Sequence, residues 1–110
     1  MEQPVNERFK KVAPHELDPM LQVAEELGFL MLDVRSPDEY RTENVVGARN
    51  VPVDQLRNDL KDLDRNTSLL IYCKVGKRCV RAVDELEQMG FQKIMVLDGG
   101  IEALKAHRMK

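Results

Sequence analysis

The chain has no apolar run approaching the roughly 20 residues that a membrane-spanning helix needs. Neither charge is in excess. The formal net charge is -2, and no basic stripe with interleaved aromatics runs along the chain. No membrane span and no nucleic-acid partner are therefore expected. Met1 to Lys11 is polar and charged and lacks an apolar core, so no secretory signal is expected. Cysteine is scarce. Cys73 and Cys79 lie six positions apart, which is not a disulfide framework, and a reducing cytoplasm is the expected compartment. His15 and His107 come without Cys-x-x-Cys or His-x-x-x-His spacing, so no zinc site is expected, nor any other metal or cofactor. Gly99-Gly100 lacks the rest of a dinucleotide fingerprint and reads as a turn. Repeats, low-complexity tracts and linkers are absent. With 110 residues, 33% charged and 43% hydrophobic, the chain is expected to be one soluble domain over 1–110 with a single core.

What is present is an alternation of short apolar runs and amphipathic stretches. Phe9 to Val12 reads as a short edge strand. Asp18-Pro19 makes an N-cap and first-turn pair for a helix carrying Leu21, Ala24 and Leu27, which Gly28 ends. Phe29 to Leu32 is a buried-type strand ending at Asp33. Ser36-Pro37 opens a helical turn through Arg41. Ala48 to Val51 is a short strand, and Leu56, Leu60 and Leu63 suggest a helix. A turn at Asp64 to Thr67 leads into a strand, Ser68 to Cys73. Lys77 to Met89 is a helix with Val80, Val83, Leu86 and Met89 on one face and Gly90 as its stop. Ile94 to Leu97 is a strand, Asp98 to Gly100 a turn, and Ile101 to His107 a final helix. Strands separated by helices predict right-handed crossovers and a parallel sheet covered on both faces. The reactive site of such a sheet lies at the carboxyl ends of its strands, where Asp33 and Cys73 both fall.

Cys73 is the residue with chemistry written around it. It ends an apolar strand, and a loop containing Lys74, Val75, Gly76, Lys77 and Arg78 leads into a helix. The first amides of a helix have no partner four residues back, so they and the loop amides can converge on an anion. Gly76 permits a positive φ, which such a cradle often needs. Three cations add to the same field. All of this favours a thiolate over a thiol, whose reference pKa is ~8.5. The plain alternative is a structural cysteine beside a solvated basic turn.

Five segments stand out together: Leu32-Asp33-Val34-Arg35-Ser36-Pro37-Asp38-Glu39-Tyr40, Val46-Gly47-Ala48-Arg49-Asn50-Val51-Pro52, Ile71-Tyr72-Cys73-Lys74-Val75-Gly76-Lys77-Arg78, Met89-Gly90-Phe91 and Leu97-Asp98-Gly99-Gly100-Ile101. In these the chain resembles the single-domain rhodaneses, a family of sulfurtransferases. The segments keep the family's order, and the resemblance covers a core of about residues 8–105. It implies an α/β, rhodanese-like fold: a five-stranded parallel sheet flanked by helices on both faces. It makes Cys73 the sulfur acceptor, carrying a persulfide, and Lys74 to Arg78 the substrate-binding loop. Thiosulfate or a similar small sulfur-containing anion would be donor, and cyanide or a thiol the acceptor. An alternative is a rhodanese-fold relay or protein-binding module that depends on a sulfur-donor or acceptor protein. Cysteine phosphatases are similar but place five residues between cysteine and arginine. Here four lie between Cys73 and Arg78, a ring better suited to one extra sulfur than to phosphate.

The chain departs from the family pattern at Asn44, Val46 and Leu104, where relatives often carry histidine, proline and tryptophan. These positions are expected to bear on packing. Cys79 stands where serine or threonine is usual. It reads either as a small helix-start residue or as a resolving thiol for Cys73. Asp33, Arg35 and Glu39 read as ion pairing that ties a strand end to the next turn, not as acid-base machinery.

Overall fold

The structure is a computed structural model and describes residues 9–110. Residues 1–8, which hold most of the polar stretch discussed above and the first position of the expected core, lie outside the described residues. Strands β1 (Lys10–Val12), β2 (Phe29–Asp33), β3 (Arg49–Asn50), β4 (Ser68–Tyr72) and β5 (Ile94–Leu97) form one sheet in the order β1-β5-β4-β2-β3. Every pairing is parallel, as the alternation of strands and helices predicts. The connections carry α1 (Pro14–Gln22), α2 (Ala24–Leu27), α3 (Pro37–Thr42), α4 (Leu56–Asp59) and α5 (Lys77–Gln88), and α6 (Gly100–Arg108) follows β5.

The central strand β4 shows why its sequence is apolar without interruption. Side chains alternate between faces, so Leu69 and Ile71 enter one core and Leu70 and Tyr72 the other. The first core is closed by Leu56, Leu60, Val83 and Leu86, the second by Leu17, Ile101 and Leu104. Both faces are covered, so no position on β4 can be polar without a partner. Leu69, Leu70 and Ile71 are fully buried, and each contributes about 1.5–3 kcal/mol by leaving water. Cys73 continues the alternation into the α4 and α5 core.

Glycine stops α5 in the expected way. Gly90 takes φ 103°, its N–H bonds the Glu87 carbonyl, and the Phe91 N–H bonds the Leu86 carbonyl. This pair of bonds, with Leu86 and Phe91 both buried, is a Schellman ending.

Three local expectations need correction. The first helix begins at Pro14, not at Asp18-Pro19. Ala13 donates its N–H to Glu16 Oε1 at 2.7 Å and accepts from the Glu16 N–H at 2.9 Å, which caps the helix ahead of the expected Asp18. Pro14 suits the first position because the N–H it lacks would have no partner there, whereas Pro19 is enclosed within the helix. Leu56 to Leu63 is not one helix. A 3-10 turn (Val53–Gln55) leads into the short α4, and Leu63 packs on the core from the turn beyond it. Val80 does not belong to the buried face of α5. It is 56% exposed, and the face is built from Cys79, Ala82, Val83 and Leu86.

Candidate active site

Cys73 is the first residue beyond β4, and Gly76 caps the N-terminus of α5 with φ 105°. That left-handed turn brings the Gly76 N–H to 3.0 Å from Cys73 Sγ, where it donates. The backbone N–H groups of Cys79 and Arg78, in the same turn, also favour the thiolate of this sulfur. The first turn of α5 therefore places its unpartnered amides on one atom. The Cys79 thiol, buried in the same core cluster, also acts on Cys73 and favours its thiolate.

These donors set the protonation state. The Cys79 thiol is the largest cause lowering the Cys73 pKa. Burial opposes it, and the amides of Cys79, Gly76 and Arg78 reinforce it, bringing Cys73 down to about 6. Cys73 is then a thiolate at neutral pH, although only 1% of its surface is exposed. Cys79 moves the opposite way. Its thiol is pushed up by its hydrogen bond to Cys73, by burial and by the Cys73 charge.

A second helix fixes the other side of the loop. The Ile101 N–H donates to the Cys73 carbonyl at 2.9 Å, and the Glu102 N–H donates to the Lys74 carbonyl at 3.1 Å. These are early amides of α6, whose cap, Gly99, has no side chain to satisfy them. The approach is so close that a Cβ at Gly100 would lie 2.4 Å from the Lys74 oxygen. Gly99-Gly100 is thus the turn expected, and it also clamps the cysteine loop.

Two ion pairs frame the site. Asp33 and Arg35 are buried, with Arg35 Nη2 2.7 Å from Asp33 Oδ2. Arg35 also donates to the Glu43 carbonyl, and the Asn50 amide donates to the carbonyls of Asp33 and Arg35, both at 3.0 Å. No buried polar side-chain atom among the described residues lacks a partner, which is the condition under which a buried pair is tolerated. Glu39 closes a reciprocal cap with Ser36 at the start of α3 and grips Arg78 with both oxygens, at 2.7 and 2.9 Å. Arg78 is the first cause holding the Glu39 carboxyl down at about 2. The ion-pair reading of Asp33, Arg35 and Glu39 agrees with this arrangement, but Arg78 as the partner of Glu39 was not foreseen. Nothing local announces a pair that spans 39 positions.

Around the loop, Lys74, Val75, Lys77 and Arg78 are exposed, and Gly76 is half-buried. A hollow of about 300 Å³ on the α3 side is lined by Arg35, Asp38, Glu39, Glu43, Lys74 and Glu102, among others. A second, of about 400 Å³, opens on the other side against Val75, Lys77, Cys79 and Val80. The loop thus brings Cys73, Gly76, Arg78 and Cys79 together, and leaves Lys74, Val75 and Lys77 at the rim. Of the departures from the family pattern, Leu104 is buried in the core and Asn44 donates to the Tyr40 carbonyl behind α3. Val46 was expected to affect packing, but it is 87% exposed. His15 and His107 meet where α1 packs on α6, with ring centroids 6.5 Å apart. Among the described residues no cluster of three or more histidines, cysteines or acids could hold a metal ion, and no helix could cross a membrane.

A parallel α/β sheet with a cysteine cradled by helix amides at the carboxyl end of its central strand defines a class of thiolate proteins. The particular family follows from comparison: a family model described as Rhodanese-like domain matches residues 13–107, and the chain belongs to that family. YqhL of Bacillus subtilis, described as uncharacterized, is 32% identical over 66% of the chain. That match spans 57% of the length of YqhL. The thiosulfate sulfurtransferase PspE of Escherichia coli is 28% identical over 72% of the chain and 77% of its own length. Among solved structures, a rhodanese-related protein from Thermoplasma volcanium superposes with a TM-score of 0.75 at 26% identity, covering 90% of this chain and 93% of its own.

Proposed function

We propose that the protein is a sulfurtransferase that carries sulfur as a persulfide on Cys73. The observation that carries this reading is the Gly76 amide 3.0 Å from Cys73 Sγ at the start of α5, whose Cys79 and Arg78 amides further favour the thiolate. With thiosulfate as donor, the thiolate attacks the outer sulfur. A new S–S bond forms, the S–S bond of thiosulfate breaks, and sulfite leaves with the electron pair. Cyanide or a thiolate then attacks the outer sulfur of the persulfide, and Cys73 departs as thiolate. No general base is needed, because the nucleophile is already ionised and the leaving group is stable. The two half-reactions predict ping-pong kinetics.

Lys74, Val75, Gly76, Lys77 and Arg78 form the substrate-binding loop in this reading. The amides hold the negative persulfide, and Lys74 and Lys77 meet the incoming anion. Arg78 acts mainly in place, since Glu39 already holds its guanidinium. The loop of four intervening residues supports transfer of one sulfur atom rather than phosphate chemistry. Relatives named thiosulfate sulfurtransferase support the donor. The two free thiols suit the cytoplasm, and the single sheet suits one domain.

The test is Cys73→Ser. The variant is expected to form no thiocyanate from thiosulfate and cyanide, and to take up no sulfur by mass spectrometry. Its melting temperature should stay close to that of the parent. Thiocyanate production near the parental rate would contradict the role given to Cys73.

A further inference from the structure

Cys79 lines the same cradle and has no part in the transfer chemistry beyond its hydrogen bond. We propose that Cys79 is an internal resolving thiol: after a hydroperoxide oxidises Cys73, the two cysteines close a reversible disulfide that shields the nucleophile from permanent oxidation. This rests on Cys73 being a reactive thiolate, but not on sulfur transfer. The geometry carries it. Both thiols are free and buried in one core cluster: Cys73 follows β4, and Cys79 lies in the first turn of α5, whose capping Gly76 amide reaches Cys73 Sγ at 3.0 Å. A serine at position 79 would donate a comparable hydrogen bond. Only a thiol can close a disulfide with Cys73.

The chemistry balances in two steps. Cys73 thiolate attacks the peroxide: an S–O bond forms, the O–O bond breaks, and hydroxide or an alkoxide leaves. Cys79 Sγ then attacks Cys73 Sγ. An S–S bond forms, the S–O bond breaks, and the thiol proton of Cys79 leaves with the hydroxyl as water. The electron pair lost by the two sulfurs has passed to the peroxide, and an external thiol later restores both. The arrangement is self-timed. While Cys73 is a thiolate, its charge and its hydrogen bond keep Cys79 protonated and inert. A sulfenic acid at Cys73 carries no charge, so that restraint lifts when a resolving thiol is needed. The resolving step requires no access from solvent. Cys79 is 2% exposed, and its target lies in the same buried cluster.

The test oxidises the reduced full chain with hydrogen peroxide, alkylates what remains and reads intact mass and tryptic peptides. The parent is expected to lose ~2 Da, to yield a Cys73–Cys79 linked peptide and to regain both thiols with dithiothreitol. Cys79→Ser and Cys79→Ala are expected to carry Cys73 to sulfinate and sulfonate instead, with roughly tenfold more irreversible loss. The linked peptide in the parent stands whether or not either variant folds. Equal irreversible loss in parent and variants, or disulfides only between molecules, would overturn the inference. A parallel arm with thiosulfate and no peroxide separates the two readings. Sulfur uptake without a peroxide disulfide defeats this inference alone. A disulfide without sulfur uptake defeats sulfur transfer alone.

Discussion

Two helices begin beside Cys73, and their first amides go to different atoms. The N-terminal turn of α5 aims at the sulfur, so it acts on charge: it lowers the thiol pKa and is placed to hold whatever anion the sulfur carries. The N-terminal turn of α6 aims at the carbonyls of Cys73 and Lys74, so it acts on position. The same unsatisfied amides serve chemistry in one case and geometry in the other. The glycines at the two helix starts differ accordingly. Around Gly76 a Cβ would meet nothing within 4 Å, whereas at Gly100 it would collide with the backbone oxygens of Lys74 and Cys73.

Substitution separates the two roles. Gly100→Ala should give the largest effect, because φ +69° is unfavourable for alanine and the colliding atoms are backbone that cannot swing away. A loss of about 3 kcal/mol or more is expected in urea unfolding. An unfolding midpoint equal to the parent's would mean that α6 does not clamp the loop. Gly76→Ala should cost less stability, about 1–2 kcal/mol from φ strain alone. Its mark should fall on chemistry. Relief of the strain turns the residue 76 amide off the sulfur, so the Cys73 pKa rises and kcat/KM for thiosulfate drops. A parental pH profile in this variant would break the distinction drawn between the two helix ends.

The rim gives the smallest effect. Lys74→Ala/Lys77→Ala removes exposed charges, which contribute at most about 1 kcal/mol to stability, so the melting temperature should hold. kcat/KM for thiosulfate should fall roughly tenfold at low salt, with the gap closing as salt rises. Asp38, Glu39, Glu43 and Glu102 line the α3 side of the loop, so an anionic donor should depend on these lysines to offset them. Equal kcat/KM at low and high salt would leave the amides as the sole anion-holding element.

The sheet was legible because apolar runs of strand length alternate with amphipathic stretches, and a parallel sheet buried on both faces requires that pattern. The cysteine loop was legible because its parts are contiguous. Cys73, Gly76 and the first turn of α5 fall within a few residues, and local geometry governs them. What escaped is either competition between two valid local signals or contact at long range. Both Pro14 and Pro19 can open a helix, and the Glu16 side chain, which reaches back to Ala13, decides for Pro14. The clamp from Ile101 and Glu102, and the hold of Glu39 on Arg78, join segments far apart in the chain. Gly100 carried the one trace of the clamp, a glycine pair whose crowding shows only in three dimensions.

The central claim is that helix amides and the Cys79 thiol keep Cys73 ionised at neutral pH. The direct measurement is the rate of iodoacetamide alkylation at Cys73 as a function of pH, read on its own tryptic peptide. The sign follows from the lowered pKa: the thiolate predominates above it, so the rate should be near its plateau at pH 7 and fall as pH drops through about 6. A profile still rising through pH 8, with a midpoint at the ordinary thiol value of ~8.5, would contradict the account.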